Sequence, residues 1–257
     1  MSRQKYLIGN WKMNNTIAKT EQFLLNFEKQ LNTSKTTVVI APSFVSLSSA
    51  SKVLKSDRVK LGAQNIAWED SGAFTGEISG EMLKECKVTF CIVGHSERRQ
   101  YFGESDETVN KRIKACLRQG INPVLCVGET LYERQHNMTN QTIKRQLQGA
   151  FDSIASQQAE KCIVAYEPVW AIGTGMSANE AQAGQVAGQI RDCLSVLYPS
   201  LYGQEIGQKI CILYGGSANT KNASLFLNCA DIDGLLVGGA SLFVDDFLQL
   251  AHICESV

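Results

Sequence analysis

The stretch Ile210-Cys211-Ile212-Leu213-Tyr214 is apolar at every position and runs straight into Gly215-Gly216-Ser217. A strand with one wet face would alternate apolar and polar residues, so an unbroken run of this length predicts a parallel strand covered on both faces. Seven more short apolar runs recur, at residues 6–11, 37–41, 59–64, 90–94, 122–127, 162–166 and 235–238. Between them apolar residues return at helical spacing, as in Val109, Ile113, Cys116, Leu117 and in Val186, Ile190, Cys193, Leu194, Leu197. Each such stripe suits a helix that covers a sheet. Ser177-Ala178-Asn179-Glu180 has the spacing of a capping box and predicts a helix start. Eight strand-then-helix units predict a single α/β domain over residues 1–257, built as a closed (β/α)8 barrel. A doubly wound open sheet alternates in the same way. In either fold the chemistry belongs at the C-terminal ends of the strands.

The charge balance removes several classes of partner. The 257 residues carry 25 Lys+Arg against 25 Asp+Glu, so no net field favours nucleic acid or a membrane surface. At 44% hydrophobic and 19% charged, with 4 Pro, the composition is that of a globular chain and not a disordered or fibrous one. A chain of this mass buries roughly 73% of its unfolded surface, enough for one large core without staples. Ahead of Gly9-Asn10 only Tyr6-Leu7-Ile8 is apolar, too short for a signal peptide, and no run approaches the roughly 18 residues of a membrane span. The expected location is the cytoplasm. The nine cysteines (Cys86, Cys91, Cys116, Cys126, Cys162, Cys193, Cys211, Cys229, Cys254) are odd in number and no two stand three apart. That argues against a CxxC signature and a disulfide framework, and runs such as Val124-Leu125-Cys126-Val127 make them small core hydrophobes.

The strand ends carry the polar groups. Residues 6–11 lead into Lys12 within Gly9-Asn10-Trp11-Lys12-Met13-Asn14; a lone lysine is more often a solvated surface group than a ligand for substrate. Residues 90–94 lead into His95 within Gly94-His95-Ser96-Glu97-Arg98-Arg99. A histidine at a helix start meets N–H groups that disfavour imidazolium, though a plain capping role fits equally well. Residues 162–166 lead into Glu167-Pro168-Val169-Trp170. Pro168 confines Glu167 to extended angles and so aims its side chain. Partial burial predicts a raised pKa suited to a general base, with a structural ion pair as the competing reading. Ala171-Ile172-Gly173-Thr174-Gly175 reads as a glycine-hinged lid that excludes water. It does not sit at a first tight strand-to-helix turn, which argues against a dinucleotide site. Gly215-Gly216-Ser217 and Gly238-Gly239 follow the last two runs, where backbone N–H groups can approach a phosphate closely.

Taken together, residues 9–14, 62–65, 72–77, 93–99, 126–130, 165–175, 214–217 and 233–242 resemble the triosephosphate isomerase family over almost the whole chain. The run Tyr166-Glu167-Pro168-Val169-Trp170-Ala171-Ile172-Gly173-Thr174-Gly175 carries most of that specificity. The resemblance implies a TIM barrel and the interconversion of dihydroxyacetone phosphate and D-glyceraldehyde 3-phosphate. Neither cofactor nor metal is implied, and no cluster of His, Cys or Asp has ligand spacing. Glu167 would be the base between C1 and C2, and a neutral His95 would polarise the carbonyl. Lys12 would supply a fixed positive charge, Asn10 a further donor, and Glu97 the carboxylate that positions the lysine. A lid over residues 168–178 would close through Gly173, with Ser217, Gly238 and Gly239 donating to the phosphate. The long stretch 65–78, with Trp68 and Phe74 expected to be exposed, would dock on a second copy and bring Thr75 near its site, making a homodimer. Two positions depart from the family: Met176-Ser177-Ala178 replaces the usual Lys, Thr and Pro of the hinge, and Lys87 stands where glycine is common. Two rivals stay open, a Schiff-base lyase or aldolase with Lys12 as nucleophile and a non-catalytic barrel.

Overall fold

The computed structural model describes residues 3–171, 178–198 and 206–257. Eight parallel strands close into a barrel in chain order: β1 Lys5–Asn10, β2 Thr36–Ala41, β3 Val59–Ala63, β4 Val88–Val93, β5 Asn122–Val127, β6 Ile163–Tyr166, β7 Cys211–Tyr214 and β8 Gly234–Val237. β8 pairs back onto β1, with Leu7 opposite Leu235, which excludes the open sheet. Each apolar run holds its strand to within two residues.

Helices return the chain over the outside. They are α1 Ile17–Gln30, α2 Phe44–Val53, α3 Gly80–Glu85, α4 Ser96–Tyr101, α5 Asp106–Arg118, α6 Leu131–Gln135, α7 Thr139–Ala150, α8 Ser156–Ala159, α9 Glu180–Leu197, α10 Ile206–Lys209, α11 Ala223–Leu227 and α12 Val244–Ser256. The start of α9 differs from the expected one. Asn179 Oδ1 accepts the Gln182 N–H at 2.8 Å and Gln182 Oε1 accepts the Asn179 N–H at 3.2 Å, so the capping box begins two residues after Ser177. Asn caps a helix as well as Ser does, and of two overlapping boxes the chain uses the second; Ser177 itself lies outside the described residues. Among the described residues, no helix is long and apolar enough to cross a membrane.

Because side chains alternate along a strand, every strand but β3 feeds two cores. Ile8, Val39, Ile92, Cys126, Ala165, Leu213 and Leu236 fill the barrel interior. Leu7, Val38, Cys91, Leu125, Val164, Ile212 and Leu235 face the helices. This double burial is why the strands read as unbroken apolar runs. The cysteines are all free, and those on strands belong to these cores as small hydrophobes.

Two local features mark the N-terminal rim, one strained and one stabilising. Lys87, just before β4, holds φ at 57°, a left-handed conformation that costs a side chain about 1–2 kcal/mol and that glycine would adopt freely. At the end of α12 the Glu255 carboxylate accepts the N–H groups of Ser34, Lys35 and Thr36 at 2.7–2.9 Å, together with the Ser34 hydroxyl at 2.7 Å. Burial opposes ionisation, but these donors outweigh it and pull the carboxyl down to about 2. A carboxyl whose folded pKa is depressed contributes stability above its unfolded pKa and loses it as pH falls through the folded value. Glu255→Gln should therefore destabilise the protein at pH 7 by about 1–2 kcal/mol, allowing for partial exposure. By calorimetry the Tm gap between variant and parent should be full at pH 6 and shrink between pH 4.5 and about 2. A gap independent of pH would refute the assignment.

Candidate active site

Strand parity aims the first two groups. Ile163 and Ala165 face the barrel interior, so Glu167, the next residue of that parity, points inward as β6 ends. Ile8 does the same for Asn10 at the end of β1. Both emerge almost fully buried, at 2% and 6% exposure. His95 follows a left-handed turn at Gly94, where φ is 69° and a Cβ would press to 2.8 Å from Val109 Cγ2. It is the N-cap of α4, and its Nδ1 accepts the Glu97 N–H at 3.2 Å. The ring proton is thereby left on Nε2, 3.0 Å from Glu167 Oε1. The Ser96 N–H donates to Glu167 Oε2 at 3.1 Å.

Lys12 sits at φ 52°, a conformation a lysine keeps only when its surroundings enforce it. Its N–H donates to Asn10 Oδ1 at 3.1 Å, and its carbonyl accepts from Gln64 Nε2 at 2.8 Å. Its Nζ ends 2.7 Å from Glu97 Oε1, the contact expected for the carboxylate that positions it. Asn10, Lys12, His95 and Glu167 together line a cavity of about 200 Å³. Leu236 supplies an apolar wall, and Gly215-Gly216-Ser217-Ala218 and Gly238-Gly239 line the remainder. Sequence positions 10 to 239 thus converge on one mouth at the C-terminal ends of the strands.

The electrostatics correct one expectation. Burial pushes the Glu167 pKa up, as the sequence suggested, but the imidazole, the Ser96 N–H and the Lys12 ammonium outweigh it and hold the carboxyl below its ordinary range. Glu167 is therefore a stored carboxylate in this geometry. Burial resists a charge on His95, while the Glu167 and Glu97 carboxylates pull its pKa upward. The net shift is upward, against the expectation from the helix start, and with Nδ1 accepting the Glu97 N–H the proton facing the cavity sits on Nε2. Among the described residues, no group of three or more His, Cys, Asp or Glu is arranged to hold a metal ion.

A family model described as triosephosphate isomerase matches residues 5–254. A protein of that name from Acetivibrio thermocellus is 45% identical over 251 residues, covering 98% of each chain. One from Alkaliphilus metalliredigens is 48% identical over 250 residues, covering 97% of this chain and 99% of that one. Another, from Dictyoglomus thermophilum, is 47% identical over 249 residues. The chain belongs to the triosephosphate isomerase family. Membership rests on nearly the whole length, residues 5–254.

Several supports of this cavity had no role assigned from the sequence. Glu129, just past β5, is fully buried. It accepts from Trp170 Nε1 at 2.9 Å, Tyr166 Oη at 3.1 Å and Arg134 Nη1 at 3.1 Å, which ties the segment after Glu167 to the neighbouring strand end. A buried carboxylate needs such partners, and its position directly after a strand was the available signal. Gly128 is required by close approach, since a Cβ there would lie 1.7 Å from the Glu167 carbonyl oxygen. Ser217 lines the cavity with its hydroxyl turned away, donating to the Ala171 carbonyl at 2.8 Å. Gly173 and the rest of 172–177 lie outside the described residues. Trp68 is only half-buried and not exposed as expected, because the Arg112 guanidinium covers its ring at 5.0 Å. Phe74 is exposed, at 41%.

Proposed function

We propose that Glu167, His95, Lys12 and Asn10 carry out proton transfer on a triose phosphate held in this cavity. The reaction is the interconversion of dihydroxyacetone phosphate and D-glyceraldehyde 3-phosphate. Glu167 takes the proton from C1, leaving an enediolate, and returns it at C2, while O2 takes up a proton through the His95 imidazole and O1 gives up its own to the same ring. His95 donates its Nε2–H to the carbonyl oxygen on which charge develops, and Lys12 and Asn10 add fixed positive potential beside it. The phosphate lies against Gly215-Gly216-Ser217 and Gly238-Gly239. Gly216 accepts no side chain there, since a Cβ would stand 2.3 Å from Tyr214 Oη.

The observation that carries this reading is the 3.0 Å contact between His95 Nε2 and Glu167 Oε1 inside one cavity. Base and electrophile so close can bracket two adjacent carbons. Substrate would replace both the imidazole and the Ser96 N–H as partners of Glu167, and loss of those donors would raise its basicity when a proton is to be taken. Lys12 is an ammonium paired with Glu97 and not the free amine that a Schiff base needs, so borohydride with dihydroxyacetone phosphate should leave it unmodified. A coupled assay of glyceraldehyde 3-phosphate conversion by the purified protein tests the whole reading. Absence of turnover would end it.

We further infer a cytoplasmic homodimer assembled through the loop around Thr75. Phe74 on that loop is a large apolar side chain left exposed beside Thr75, the kind of residue a subunit interface would cover. Thr75→Glu should shift the protein toward monomer in analytical ultracentrifugation, and an undiminished dimer would remove the loop from the interface.

A further inference from the structure

On the rim opposite the catalytic mouth, a groove of about 460 Å³ lies between the starts of β3 and β4. Lys55, Lys60, Lys84 and Lys87 line it, against one acidic residue, Asp57. The chain as a whole balances its charges, so this concentration is local. Lys60 pairs with Asp57 at 3.0 Å, on the solvent-exposed edge, and the Lys55 ammonium donates to the Lys52 carbonyl at 2.7 Å. Among the described residues, no carboxylate forms an ion pair with Lys84 or Lys87. The second residue of each strand, Lys60 and Thr89, is left accessible while the rest of β3 and β4 is buried. Lys87 reaches the groove from a left-handed backbone at φ 57°, a position glycine would occupy without strain.

We propose that this groove binds a short oligophosphate anion. Three uncompensated positive charges around a concavity of this size suit a compact multivalent ligand, and lysine ammonium groups serve phosphate oxygens as point charges. No aromatic side chain is among the described residues lining the groove, so nothing stacks on a nucleobase. The ligand is the phosphate chain itself and not a nucleotide.

The test uses inorganic tripolyphosphate and ATP as probes of the full-length protein, by titration calorimetry and by amide shifts of isotope-labelled protein. Tripolyphosphate should move the amides of Thr89 and Gly120 and should bind more weakly as salt is raised. ATP should bind no more tightly. Lys84→Glu with Lys87→Glu should weaken binding by about tenfold or more while leaving kcat/KM for isomerisation unchanged. Lys87→Gly should weaken binding while raising Tm, because it removes the charge and the backbone strain together. The proposal is overturned if tripolyphosphate shifts only Gly215, Gly216, Gly238 and Gly239 in the catalytic mouth, if the lysine variants keep parental affinity, or if ATP binds more tightly than tripolyphosphate.

Discussion

Glu167→Asp is expected to fold as the parent does and to isomerise triose phosphate on the order of 10²- to 10⁴-fold more slowly. The carboxylate would retract by about 1.5 Å, the length of one carbon–carbon bond, from a position now defined by His95 Nε2 at 3.0 Å and the Ser96 N–H at 3.1 Å. On the proposed reading, a base withdrawn by that distance loses its alignment with C1, while the glycine pairs that would hold the phosphate are untouched. The loss should therefore appear in kcat with KM nearly unchanged. Steady-state kinetics on purified variant, with circular dichroism to establish the fold, decide the matter. A kcat within threefold of the parent would mean that another group takes the proton.

Lys12→Met should cost on the order of 10²- to 10³-fold in kcat/KM, the usual consequence of deleting one fixed donor facing a developing oxyanion. Here KM should rise as well, because on the proposed reading the same ammonium would face the phosphate in the ground state. Methionine keeps the length and apolar stem of lysine, so the strained turn at φ 52° persists with its contacts to Asn10 and Gln64. The Lys12–Glu97 pair is partly exposed on both sides, so its loss should move Tm little. A variant with parental kcat/KM would show that Glu97 and Lys12 form only a surface ion pair.

The barrel strands were legible because their signal is local. A strand buried on two faces must be apolar throughout whatever its neighbours are, and the run 122–127 matches β5 residue for residue. Glu167 was legible for a similar reason, since Pro168 restricts its backbone from the adjacent position. The start of α9 was misjudged by two residues because Ser177 and Asn179 both begin acceptable capping boxes, and local chemistry does not rank them. Trp68 was misjudged because its cover, Arg112, comes from α5, a different part of the chain.

The site divides along the same line. Sequence by itself determined which side chains emerge at the strand ends, since β1 and β6 run into Asn10 and Glu167; with both faces of those strands apolar, only the closed barrel decided that the two point inward. Tertiary structure decided whom they meet: Ser96 and Glu167 touch across 71 residues, and Lys12 and Glu97 across 85. It also decided the sign of the Glu167 shift. Burial is readable from an apolar strand and raises a carboxyl pKa, whereas the donors that reverse it arrive only when the barrel closes and brings separate strand ends within hydrogen-bond distance.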